Sequence, residues 1–130
     1  YYCLLGRVHF DSGDLDKAQT CAEEALEFSK QLDEKHHKGL SLQLLGRILG
    51  KADPQQLDKA KEYILKGIRI HEEWKLKPLY SLGYLFLGEL YADSGQRETA
   101  LENLKKAERM FKEMGMDYWL GKTQEVLSRL

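Results

Sequence analysis

Few residues in this chain have the type and spacing that chemistry needs. His71 is followed by Glu72, Glu73 and Trp74, and His36 and His37 stand side by side at the start of a helical stretch. On a helix, a His with a Glu beside it is half of a zinc-hydrolase motif, and a second imidazole four residues on must complete the ligand pair. Lys75 occupies that place, and no metal is expected. Cys3 and Cys21 fit neither a disulfide framework nor a zinc spacing and read as small hydrophobes in a reducing compartment. There is no Gly-rich phosphate loop, and no Ser, Cys or Asp stands out with a base beside it. The chain is therefore expected to be no enzyme and to carry no cofactor.

Composition narrows the remaining classes. The 130 residues are 42% hydrophobic, enough for one domain with a core, and strong helix formers dominate while Pro occurs twice. The balance of 20 Lys and Arg against 21 Asp and Glu, a net charge of -1, gives no general attraction to nucleic acid or to anionic lipid. No apolar run is long enough to span a membrane, and no export signal is present. The chain opens on Tyr1 with its apolar periodicity already running. The expectation is an excised part of a longer, cytoplasmic protein.

What must position any site is a repeat. Leu5-Gly6-Arg7, Leu45-Gly46-Arg47, Leu87-Gly88-Glu89 and the weaker Leu127-Ser128-Arg129 recur at spacings of 40, 42 and 40 residues. Ala18, Ala60 and Ala100 follow the glycines at offsets of 12, 14 and 12. A small residue facing another small residue lets two antiparallel helices approach closely, which explains Gly inside a helix despite a cost of about 1 kcal/mol against Ala. Leu5, Leu45 and Leu87 then fill the space between one hairpin and the next. Asp11-Ser12-Gly13-Asp14 and Asp93-Ser94-Gly95-Gln96 supply left-handed helix ends, and Asp14 is placed to cap the helix after it. Asp53-Pro54-Gln55-Gln56 reads as N-cap, first-turn Pro and capping-box Gln. Helices are expected at about 1–12, 14–32, 36–51, 54–75, 78–94, 96–114 and 117–130.

These landmarks resemble the tetratricopeptide repeat, whose pattern is an aromatic, two residues, Leu-Gly, two residues, Tyr, then Ala, three residues, Phe. The third unit matches best, with Tyr84, Leu87, Gly88, Tyr91, Gly95, Ala100, Leu104 and Ala107. The first reads Tyr2, Leu5, Gly6, His9, Gly13, Ala18, Ala22 and Ala25; the second, more degenerate, reads Leu42, Leu45, Gly46, Leu49, Ala60, Ile64 and Gly67. The resemblance implies an all-α, right-handed superhelix of about 3.5 hairpins and seven helices. Its units are about 1–35, 36–77 and 78–116, with a capping helix at about 117–130. The period exceeds the usual 34 residues, and Lys30, Glu72 and Lys112 stand where the family's closing Pro would be. Long repeats of this kind resemble those of kinesin light chains, of bacterial activators with an ATPase core and a helical sensor arm, and of large bacterial nucleotide-cyclase polypeptides. The segment Phe111 to Leu120 resembles the carboxyl end of such bacterial signalling proteins.

In such repeats the first helix of each hairpin lines a concave groove, and this implies the candidate site. Register across units gives Arg7 and Phe10, then Gln43, Arg47 and Lys51, then Leu85 and Glu89, and finally Arg129. Cys3, Asp11, Leu40, Leu82, Asp93, Lys122 and Glu125 share that face. Arg7 and Arg47 have the forked donors to hold a carboxylate of a peptide, with Phe10 and Leu85 as apolar anchors. An internal Arg47 to Glu89 pair, or plain solvated charge, explains the same residues. On the partner reading, Arg47→Glu is expected to weaken binding while leaving the melting temperature nearly unchanged. The Lys and Asn clamp of chaperone-binding relatives is replaced by Cys3 with Arg7 and Gln43 with Arg47, which argues against a chaperone-tail receptor. Trp74 and Trp119 are expected to seal neighbouring repeats, and the charges from Lys105 to Glu113 to support one another along a wet helix face. Tyr118 to Leu130 is expected to cap the stack, while Tyr1, Tyr2 and Leu4 leave an apolar edge suited to self-association. The expected function is an interaction scaffold or sensor arm binding a protein or peptide; self-assembly of the parent, or a small-ligand pocket, are the alternatives.

Overall fold

The computed structural model describes residues 7, 10–32 and 35–130, with the backbone alone at 28–32, 35, 36 and 54. Six α-helices follow in order: α1 (Leu15–Leu32), α2 (Lys35–Ala52), α3 (Leu57–Glu73), α4 (Lys77–Asp93), α5 (Arg97–Met114) and α6 (Asp117–Ser128). A 3-10 turn, Pro54–Gln56, leads into α3. Arg7, Phe10 and Asp11 are helical ahead of the turn at Gly13, but most of the helix expected over 1–12, with Leu5 and Gly6, lies outside the described residues. No strand occurs among the described residues, so the all-helical expectation holds.

Each helix packs on the next through a short connection, which makes neighbours antiparallel. Beyond that, the backbones of α2 and α4 and of α4 and α6 approach within 8 Å, whereas among the described residues those of α1, α3 and α5 stay farther apart. The even-numbered helices thus form one contiguous row.

The glycine notches account for the close pairing. A Cβ on Gly46 would lie 2.5 Å from Ile64 Cγ1 and 2.6 Å from the Ala60 carbonyl oxygen. One on Gly88 would lie 2.5 Å from Leu104 Cγ, so at this hairpin Leu104, not Ala100, is the nearest neighbour. Ala18, Ala60 and Ala100 are completely buried, as the repeat requires. The main core runs through α3 to α6 around Ile64, Ile68, Leu85, Leu104 and Phe111, with Leu87 and Val126. A smaller cluster of Ala18, Ala22, Leu44, Leu45 and Ile48 joins α1 to α2.

The turn chemistry follows the sequence at four places. Gly13 and Gly95 take φ of 87° and 80°, Asp14 Oδ1 accepts from the Lys17 amide at 3.2 Å, and Asp53 accepts from the Gln55 amide and the Gln56 side chain, both at 3.0 Å. Two further left-handed ends were not expected: Gly115 at φ 68° and Lys75 at φ 56°. Trp74, beside Lys75, is 57% exposed and seals nothing. The chain reverses through the left-handed residue immediately after it, leaving the indole outside the stack. Two charges of α5 are engaged across helices. Lys106 Nζ lies 4.1 Å over the Tyr84 ring, and Glu113 pairs with Lys77 at 3.3 Å.

Candidate binding cleft

Arg47 follows the Gly46 notch by one residue, so its side chain leaves α2 away from α3 and toward the open side of the row. There its guanidinium is held between two rings, 4.3 Å from the Phe10 centroid and 3.9 Å from that of Phe86. Glu89, one unit further on, places a carboxylate oxygen 4.0 Å from Arg47 Nη2. One helical turn along, the same spacing of 42 residues joins Lys51 to Asp93 at 2.7 Å. These two rungs tie α2 to α4.

Burial sets the protonation energetics of the first rung. Loss of hydration lowers the Arg47 guanidinium pKa, an effect that Glu89 and Asp11 oppose and Arg7 reinforces. Burial likewise raises the Glu89 carboxyl above the usual carboxylate range, while Arg47, Lys51 and Arg129 pull it back. In both groups desolvation outweighs attraction, as expected for a pair that meets at 4.0 Å without a short hydrogen bond.

Beside this pair opens a cleft of about 370 Å³ reaching from Arg7 to α6. Arg7 rests 4.4 Å over the Trp119 ring; Trp119 in turn meets Phe86 edge to face at 6.3 Å. Tyr118, 63% exposed, forms the outer lip. The walls carry four cations, Arg7, Arg47, Lys122 and Arg129, against Asp11, Glu89 and Glu125. Lys122 and Glu125 lie 3.9 Å apart on the surface of α6, and Arg129 is exposed with no ion-pair partner among the described residues. A cleft with one surplus positive charge and aromatic walls is suited to an anionic or aromatic group.

The eight candidate residues separate by depth. Arg7, Arg47, Glu89 and Arg129 line the cleft, and Phe10 and Lys51 border the Arg47 rung next to it. Gln43 and Leu85, which occupy equivalent places in successive units, are each 1% exposed and present no surface to a partner. Leu85 is floor. Gln43 is a core residue whose Nε2 contacts His71 Nδ1 at 3.1 Å and donates to the Leu79 carbonyl at 3.2 Å, leaving its Oε1 buried without a partner. Arg47 also differs from expectation: with a side chain only 12% exposed and stacked on two rings, it cannot be charge-reversed without disturbing the fold. Trp119 and Tyr118 also line the cleft, Trp119 while packing against the main core as its expected sealing role requires. The face of the last helix that holds Lys122 reaches Trp119 by one step of three residues, so the signal was present. His71 is fully buried, and no three His, Cys, Asp or Glu side chains converge among the described residues.

Two family models described as tetratricopeptide repeat match this chain, over residues 1–32 and 83–113. They fall on the first and third units and skip the second, whose landmarks are the most degenerate. A comparison with curated proteins finds no match. The two matches support the tetratricopeptide-repeat family, whose repeats mediate protein–protein interaction and are typically scaffolds without catalytic activity. Among the described residues no helix is long and apolar enough to cross a membrane.

Proposed function

We propose that the Arg7–Arg129 cleft takes an acidic segment of a peptide or protein partner, and that the chain is the interaction or sensor arm of a larger cytoplasmic signalling or regulatory protein. The observation that carries this reading is the surplus of cations in one cleft, with Arg129 exposed and Lys122 offset only by a surface pair. Buried Arg47 supplies a fixed positive field, held in place by its two rings. The exposed Arg129 and Lys122 supply the direct contacts, with forked hydrogen bonds from the former. Trp119 and Tyr118 offer flat faces to an apolar or aromatic neighbour of the acidic residue.

The architecture we assign is a right-handed superhelix of about 3.5 long-period hairpins, with units near 1–35, 36–77 and 78–116 and a cap from about 117. In it α2, α4 and α6 line the concave side. A small anionic ligand is the second reading. It is favoured by the contact of Arg7 with Trp119, which joins the two ends of a cleft of about 370 Å³, within the size range of small-molecule pockets. Thermal shift separates the two: stabilisation by Glu-containing peptides and not by a panel of di- and tricarboxylates supports the peptide, and the opposite result supports the ligand. Self-association through Tyr1, Tyr2 and Leu4 concerns residues outside those described.

A further inference from the structure

A second cleft, separate from the Arg47 cleft, is lined by α1, α2 and α3. Aligning Ala18 with Ala60 puts Glu23 in register with Leu65, and aligning Gly46 with Gly88 puts Leu49 in register with Tyr91. Leu49, Leu65 and Tyr91 all pack against the main core. Beside Glu23 and Leu49 a cleft of about 350 Å³ lies between α1 and α3, whose described Cα atoms stay more than 8 Å apart.

The chemistry of this cleft is asymmetric. Its floor is apolar, made by Leu45, Ile48 and Leu49 of α2. The α1 wall presents Glu23 and Glu27 one turn apart on either side of Leu26, both exposed and neither with an ion-pair partner among the described residues. On the α3 wall Lys59 lies 6.0 Å over the Tyr63 ring and does not reach the acids. Two unpaired carboxylates above an aliphatic floor match a Lys or Arg side chain, whose stem lies on apolar surface while its head keeps polar contacts. The remaining floor accommodates an apolar neighbour. Lys59 opposes a second cation and so directs the charged head to the α1 side.

We infer that the cleft between α1 and α3 docks a partner protein's amphipathic helix that presents a Lys or Arg beside a Leu-like side chain. This site is independent of the Arg47 cleft and of the reading given to it. Fluorescence anisotropy tests it with a labelled helical peptide carrying Leu and Lys on one face, against a counterpart with Glu for every Lys. The Lys peptide is expected to saturate the 130-residue chain. Binding should weaken at least tenfold in Glu23→Leu, in Glu27→Gln and in Leu49→Tyr, which remove a charge or fill the cleft. Thermal melts identify any variant that fails to fold, and Glu27→Gln, at an exposed position, keeps the test valid if Leu49→Tyr does. Equal binding of the Glu peptide, no saturation at millimolar concentration, or full affinity in folded Glu23→Leu and Glu27→Gln overturns the inference.

Discussion

The Arg47 guanidinium lies 3.9 Å over the ring centroid of Phe86, with Phe10 on its other face at 4.3 Å. This stack makes Arg47 part of the framework as well as part of the cleft. Arg47→Glu would place a carboxylate between two rings and beside Glu89, and it is expected to cost about 3 kcal/mol, the order found when one partner of a buried pair is removed. Urea denaturation at neutral pH reads the loss. An unchanged midpoint would mean that the guanidinium is solvated and the stack contributes nothing.

The same pair gives stability a pH dependence of known sign. Glu89 has a folded-state pKa above its unfolded value of about 4.3, so the folded state holds the proton more tightly. That contribution is fully present below the unfolded pKa and is lost as pH rises through the folded one. The stability of the wild-type chain relative to Glu89→Gln should therefore fall from about pH 4 toward neutrality, as measured by urea midpoints at several pH values. A rising difference would show that attraction to Arg47 outweighs burial.

The glycines separate by what surrounds them. Gly46→Ala forces a methyl group to 2.6 Å from the Ala60 carbonyl oxygen, backbone that cannot turn aside, and a loss of about 2 kcal/mol is expected. Gly121, inside α6, has nothing within 4 Å of its added Cβ and no left-handed φ. Gly121→Ala should gain up to about 1 kcal/mol from helix propensity alone. Chemical denaturation of the two variants should move in opposite directions.

Lys75 adopts the left-handed conformation that Gly13, Gly95 and Gly115 adopt at the other turns. A side chain there costs roughly 1–2 kcal/mol, part of which Gly returns through its freer unfolded state. Lys75→Gly is expected to raise the thermal midpoint, and a lower midpoint would indicate that the Lys side chain makes a compensating contact.

These cases mark what the sequence made legible. The turns at Gly13 and Gly95 and the caps at Asp14 and Asp53 follow local rules, which are written in adjacent residues, and the pairing of Gly46 with Ala60 follows from the repeat offset. The rung from Arg47 to Glu89 followed from repeat register, because equal positions in successive units meet. Register names a face but not a depth. Of Gln43 and Leu85, equivalent to one another and both placed on the cleft, Leu85 forms its buried floor, whereas Gln43 sits in the core, drawn in by His71 and the Leu79 carbonyl. The turn at Lys75 escaped because no Gly announces it, and with it the exposure of Trp74. Trp119 packs on the main core, the sealing role expected of it, and only the tertiary contact with Arg7 shows that it also walls the cleft.

The cleft reading is tested most directly by charge exchange across it. A labelled peptide bearing two Glu residues beside an aromatic residue is titrated into the wild-type chain and into the Lys122→Glu, Arg129→Glu double variant, and the titration is repeated with a peptide in which Lys replaces each Glu. Both substituted positions are exposed, so folding is retained. The double variant is expected to lose at least tenfold in affinity for the Glu peptide and to gain affinity for the Lys peptide, with the largest effects at low salt. Equal affinities of the two proteins for the Glu peptide would contradict that reading.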